Sequence, residues 1–133
     1  MIKELVTYIG NNTSFTVGTN LFAISVDTDV ADDCIVVGEQ APGVAHGVLT
    51  DYRQIPLVAY SRAANSRFTA RDNAYTVFNL LHGLMQVNLP VVSGGDTYRC
   101  NFECRTPYYN GLDESGRRHE YIVSIDVTVT NIS

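Results

Sequence analysis

The sequence has no run of lysine or arginine, no long apolar stretch and no clustered set of metal-ligating residues, and each absence closes off a class of function. Nine basic residues against fourteen acidic ones leave a formal net charge of −5. Duplex DNA is held largely by neutralising phosphates and releasing counterions, which requires a basic footprint. No such footprint exists here, so the chain is expected to stand beside DNA rather than grip it. No segment approaches the roughly 18 apolar residues that read as a membrane span, and no membrane partner is expected. Met1-Ile2-Lys3-Glu4-Leu5 is neither a charged leader nor the start of an apolar run, so no signal peptide is expected. Cysteine is scarce as well. Cys34, Cys100 and Cys104 cannot all pair within one chain, and the expectation is free, buried thiols in a reducing compartment.

Motifs that carry chemistry are also missing. Cys100 and Cys104 fall on one strand face, yet four residues along a strand span roughly 13 Å, too far to share one zinc. Cys34, His46, His82 and His119 add no C-x-x-C or H-x-x-x-H spacing. Neither a nucleophile elbow, a zincin helix nor a phosphate loop is present, and Ser93-Gly94-Gly95-Asp96 reads as a turn. His82 falls at a helix carboxy terminus, where the dipole favours a cation. His46 sits in a glycine-rich stretch and His119 beside Arg117-Arg118, and both are expected to face solvent. No catalytic residue, cofactor or metal is expected, and the chain does not read as an enzyme.

What is present suits one folded domain spanning residues 1–133. Hydrophobic residues make up 45% of the chain and charged residues 17%, which argues against disorder. Ile2, Leu5, Val6 and Ile9 form the stripe of a short amphipathic helix, with Gly10-Asn11-Asn12 as its expected stop. Brief strands are expected at Leu21 to Val26 and Cys34 to Val37, with the acidic Asp27-to-Asp33 turn between them, and a loop at Gly38 to Thr50. Gln54 to Arg62 reads as a strand, placed by Pro56 at a sheet edge or a bulge. The clearest helix runs from about Ser66 to His82, with Ala70, Ala74, Val77, Leu81 and Leu84 on one face, Phe78 and Met85 beside them, and Asn65 or Ser66 as cap. Tyr98 to Cys104 and Tyr121 to Val129 alternate apolar with polar residues, as half-buried antiparallel strands do. Thr106 to Arg118 holds Pro107, Asn110-Gly111 and Ser115-Gly116 and reads as a projecting loop. The expected class is α+β: a mostly antiparallel sheet with two helices packed on one face, and long projecting loops.

Two surfaces invite a partner. Asp113-Glu114 and Arg117-Arg118 form a compact mixed-charge tip beside Tyr108 and Tyr109, a composition suited equally to a solvated tip or to an interface rim. The polar strand faces carrying Arg99, Glu103, Arg105, Asp126, Thr128 and Thr130 could meet water, a lumen or a neighbour.

Five stretches carry a resemblance to a known family. They are "IKELVTYI", "GTNLFAISV", "DDCIVVGEQAPG", "IPLVAYSRAANSRFTARDNAYTVFNLLHGL" with Ser61-Arg62 and Ala70-Arg71, and "GLDESGRRHEYIVSIDVTV". In order and wording they resemble the tail-terminator (tail-completion, or minor capsid) proteins of long-tailed bacteriophages. The resemblance is one of pattern over nearly the whole chain and is weakest from Val87 to Thr97. It implies an α+β virion subunit that forms a ring, usually six-fold, on the head-proximal end of the tail tube. There it would stop tube growth and offer a surface to the head–tail connector, with DNA passing through the lumen unbound. The implied partners are copies of itself, the tail-tube protein and the connector, in the host cytoplasm during assembly and then in the virion. Arg62, Arg71, Asp113, Glu114, Arg117 and Arg118 are the interface candidates it implies. A head-closure or adaptor protein of the neck, or a cytosolic α+β domain binding a small molecule or peptide, are the competing readings.

Overall fold

The computed structural model describes residues 1–24, 32–40, 44–45, 53–92, 94 and 96–132. In chain order the elements are α1 (Ile2–Asn12), β1 (Leu21–Ala23), β2 (Asp33–Glu39), β3 (Val44–Ala45), β4 (Arg53–Ala63), α2 (Arg67–Leu81), β5 (Val87–Asn88), β6 (Tyr98–Cys104), β7 (Tyr108–Leu112) and β8 (His119–Ile132). The fold is α+β. One sheet runs in the order β1-β2-β4-β8-β6-β5, with β3 also on β4 and β7 also on β8. All pairs are antiparallel except β1 with β2, which is parallel.

Because strand side chains alternate between faces, register decides what is buried. Leu57 and Ala59 of β4 share one face with Val123, Ile125 and Val127 of β8, Ile35 and Val37 of β2, and Cys100 and Phe102 of β6. Both helices close over that face, and their apolar stripes join it in a single core. From α1 come Ile2, Leu5, Val6 and Ile9, and from α2 come Ala70, Ala74, Val77 and Leu81, all buried. Full burial of Val77 and Leu81 stabilises the packing by roughly 1.5–3 kcal/mol each. The small residues Ala70 and Ala74 let the helix axis approach the sheet, and buried Ser61 donates from Oγ to the Ala70 carbonyl at 2.8 Å. Ser66 caps α2, its Oγ accepting from the Thr69 N–H, as expected of the cap. The helix ends where Gly83 takes φ +81°, a conformation glycine adopts without strain.

α1 ends at Asn12, within the expected stop Gly10-Asn11-Asn12; Gly10 itself is helical, and a Cβ there would meet Val17 Cγ2 at 3.1 Å, so its role is close approach. Other expectations are corrected. β4 is central rather than at an edge, flanked by β2 and β3 on one side and by β8 on the other. Pro56 is tolerated because its nitrogen faces the gap between Glu39 and Val44, where β2 gives way to β3 and no ladder partner awaits an N–H. On that same side the Pro56 carbonyl accepts from Gln40 N at 3.1 Å. Thr106 to Arg118 is not a projecting loop: Tyr108–Leu112 forms β7 on β8, and only a tight turn remains at its tip. Of Gly38 to Thr50, Gly38-Glu39 completes β2 and Val44-Ala45 forms β3, while 41–43 and 46–50 lie outside the described residues. Val26 and most of the Asp27-to-Asp33 turn lie outside them too.

Gly10 supplies a stability test. Alanine is favoured over glycine inside a helix by about 1 kcal/mol, and the Val17 side chain it would press is exposed and free to turn away. Gly10→Ala is expected to raise unfolding free energy by about 0.5 kcal/mol in a urea titration; destabilisation would show that the α1–Val17 contact is rigid.

Candidate functional site

The turn from β7 to β8 is built on a buried ion pair. Arg118 Nε donates to Asp113 Oδ2 at 2.6 Å, with both side chains 1% exposed. Asp113 Oδ1 also accepts from Ser115 N at 3.1 Å, Ser115 Oγ at 2.5 Å and Arg118 N at 3.4 Å. Burial alone would raise the Asp113 carboxyl. The Ser115 and Arg118 hydrogen bonds and the guanidinium charge outweigh that and hold it below its ordinary value. Behind the pair, Arg118 Nη1 reaches Cys34 Sγ on β2 at 3.5 Å, so the turn is fastened across the sheet.

Around this turn lies an open hollow of about 550 Å³ on the sheet face opposite the helices, with Ile24, Leu112 and Glu114 at its rim and Arg62 and Glu120 in its floor. Arg62 Nε donates to Glu120 Oε2 at 2.8 Å, while Glu120 Oε1 accepts from Asn110 Nδ2 at 2.9 Å. Arg62 also lies 5.3 Å from the Tyr60 ring centroid. Ile24 is 69% exposed at φ +72°, a region a β-branched residue rarely adopts. Its N–H is held there by the Val37 carbonyl at 2.7 Å.

The outward side of α2 is a second exposed surface. Phe68 is 77% exposed there, beside Arg71, whose guanidinium lies 4.6 Å from the centre of the Tyr75 ring. Tyr75 meets Phe78 edge-on at 5.9 Å, and Phe78 stacks on His82 at 4.9 Å. This ladder ends near exposed Met85.

The six candidate interface residues therefore divide. Arg62, Asp113 and Arg118 are drawn into internal ion pairs, the last two fully buried rather than at a solvated tip. Glu114 is exposed, Arg117 is exposed and paired with Asp32, and Arg71 lies apart on α2. One histidine stands where expected and one does not. His82 closes α2, its Nδ1 accepting from Cys104 N at 3.0 Å. His119 is half-buried, its Nδ1 in a 2.9 Å hydrogen bond with the Tyr109 hydroxyl. His46 lies outside the described residues.

Sequence reasoning did not single out Phe68 or the cross-strand pair Glu103↔Asp126, whose like charges stand directly opposite on the polar face. Phe68 could have been found, since it lies across the helix from the apolar stripe. The carboxylate pair could not, because it depends on register. A shallow hollow of about 430 Å³ lined by Gln54, Pro56 and Thr128 adjoins that pair. Among the described residues no cluster of three or more His, Cys, Asp or Glu could hold a metal.

The three cysteines are free and buried. Burial raises the Cys34 thiol despite nearby Arg118 and Arg62, and pushes Cys100 and Cys104 up to about 12. Thiol reagents at neutral pH should label the native protein slowly and the urea-unfolded protein at once; fast labelling of any native cysteine would contradict this burial. A second test concerns the turn. Asp113→Asn removes the charge that compensates buried Arg118 and is expected to cost about 3 kcal/mol at neutral pH. A carboxyl lowered by folding stabilises above its ordinary value of 3.8 and loses that contribution as pH falls through the folded value. The gap between wild type and Asp113→Asn in urea unfolding should therefore narrow on acidification, and a constant gap would show that the carboxylate charge is not what matters.

No protein-family model matches the chain, and no curated protein matches it in sequence.

Proposed function

We propose that the chain is a virion structural protein, a tail-terminator subunit that forms a ring on the head-proximal end of a phage tail tube. In that role it ends tube polymerisation and offers the joining surface for the head connector. The reading starts from the resemblance carried by "IPLVAYSRAANSRFTARDNAYTVFNLLHGL" and "GLDESGRRHEYIVSIDVTV". One structural observation gives it most support: two unlike exposed surfaces lie on opposite sides of one rigid sheet. The Phe68–Arg71–Tyr75 side of α2 covers the apolar face, and the Leu112–Glu114 turn rises on the other. A head-to-tail ring needs such a pair, because each subunit meets one neighbour with each. The turn's internal ion pair suits it to that work, since a preformed surface loses less freedom on binding. The negative net charge fits a lumen through which DNA slides without adhering.

The test is assembly on tail tubes. Purified protein added to tubes polymerised without a terminator should appear by negative-stain electron microscopy as a cap on one end, and capped tubes should stop growing. Phage lacking the gene should make tails of uncontrolled length. Normal-length, head-joined tails in its absence would refute the proposal, and uncapped normal-length tails that fail only to join heads would favour a head-closure role.

A further inference from the structure

We infer that the outward face of α2 on one subunit docks into the hollow beside the β7–β8 turn of the next, with Phe68 seated against Ile24 and Leu112 and Arg71 paired with Glu114. This rests on the ring reading above and names the surfaces that would close it. Three observations carry it. The first is charge. Around the hollow Asp113 is engaged by Arg118, Glu120 by Arg62, and Arg117 by Asp32, while Glu114 has no charged partner among the described residues. On α2 the Arg71 guanidinium only stacks on Tyr75 and likewise has no carboxylate partner among them. Glu114 thus lacks a charged partner on one surface, and on the other the exposed Arg67 and Arg71 outnumber the exposed Asp72, so the two surfaces differ in sign.

The second is apolar area placed next to that charge on both sides. Phe68 precedes Arg71 by three residues, so the two project from one helical face about 5–6 Å apart. Leu112 ends β7 at 54% exposure, and Glu114 follows two residues on in the turn. A ring beside a guanidinium therefore faces a Leu side chain beside a carboxylate. Aromatic and arginine side chains of this kind are what protein interfaces concentrate.

The third is backbone strain. Ile24 holds an unfavourable left-handed conformation while presenting its side chain to solvent at the hollow's rim. Such strain persists where a surface is shaped for contact.

A charge swap tests the pairing, because α2 and the hollow lie on opposite sides of a subunit. Arg71→Glu sets one carboxylate against another, that of Glu114, at every contact. Glu114→Arg sets a second guanidinium against that of Arg71. Both positions are exposed, so each variant should match wild type in circular dichroism and in thermal unfolding. In sedimentation velocity at rising concentration, and on terminator-free tail tubes, each variant alone should self-associate about a hundredfold more weakly than wild type. An equimolar mixture should recover assembly, since in an alternating arrangement every contact again sets a carboxylate against a guanidinium. Phe68→Asp should weaken assembly without rescue by either partner, and Glu103→Arg should have no effect. Wild-type-like assembly of Arg71→Glu or Glu114→Arg alone, or failure of the mixture to recover, would overturn this pairing and leave the ring reading standing. A wild type that stays monomeric both in solution and on tail tubes would overturn the two together.

Discussion

The ladder between β4 and β8 is the constraint on which the other elements depend. Arg53 to Ala63 pairs antiparallel with Val129 to His119, and each strand offers its second edge to two shorter partners in succession. On β4 these are β2 and β3, and on β8 they are β6 and β7. The breaks fall between Glu39 and Val44 and between Cys104 and Tyr108, so the prolines at positions 56 and 107 lie where the ladder asks for no N–H. A slip of one residue between β4 and β8 would put Leu57 and Ala59 on the face opposite Val123 and Ile125, so the hydrophobic pattern fixes the register. The edge of β6 beyond β5 is closed by the segment that leaves α2. Gly83 donates to the Phe102 carbonyl at 3.1 Å, the Leu84 carbonyl accepts from Phe102 at 2.8 Å, and His82 accepts from Cys104. An edge satisfied in this way is a poor template for strand addition.

The two sheet faces are built on different principles. Apolar burial organises the helical face, where the core is continuous from α1 to β6. Ion pairs organise the other, with Arg62–Glu120 and Arg118–Asp113 set into it at the β7 end. Buried ion pairs are weak contributors to net stability, because desolvation offsets much of the attraction. Their stronger effect is geometric. Asp113 accepts from three donors of its own turn as well as from the Arg118 side chain, so the backbone that carries Leu112 and Glu114 has little freedom left. A surface fixed beforehand in this way loses less entropy when it is covered.

Much of this was legible in the sequence, and the limits have physical reasons. The 4, 3, 4, 3 spacing of Ala70, Ala74, Val77, Leu81 and Leu84 located α2, and strict alternation located β6 and β8, because burial on one face leaves a period in the chain. Even the exception within β8 had meaning: Ile122, the apolar residue out of phase, is buried on the opposite face. β7 left no such mark. Its residues alternate between exposed and half-buried, it follows a proline, and Gly111 sits in it at φ +90° where the register shifts. Its strand character comes from Tyr121 and Ile122 across the ladder, which no local window contains. The Asp113–Arg118 pair was hidden for a related reason, since charges five apart around Ser115-Gly116 look solvated until a turn brings them under cover.

The placement of the two exposed surfaces also limits the kind of association open to this chain. A two-fold dimer uses one patch twice and needs that patch to complement itself. The α2 face, with Phe68 and Tyr75, carries Arg67 and Arg71 against the single carboxylate of exposed Asp72 and would meet its own copy with net positive charge on both sides. The Glu114 side of the turn would do the same with negative charge. Each surface is better matched to the other, and because they lie across the sheet from one another, a subunit that binds through one leaves the second free for a further copy. Such growth closes or runs on according to the rotation between successive subunits. That rotation is governed by whatever holds α2 at a fixed angle to the sheet. Here the Ser61–Ala70 bond, the close approach allowed by Ala70 and Ala74, and Arg67 laid 3.9 Å over the Tyr109 ring tie α2 to β4 and to β7 itself. The two exposed surfaces are thereby parts of one rigid unit, as the proposed ring would require.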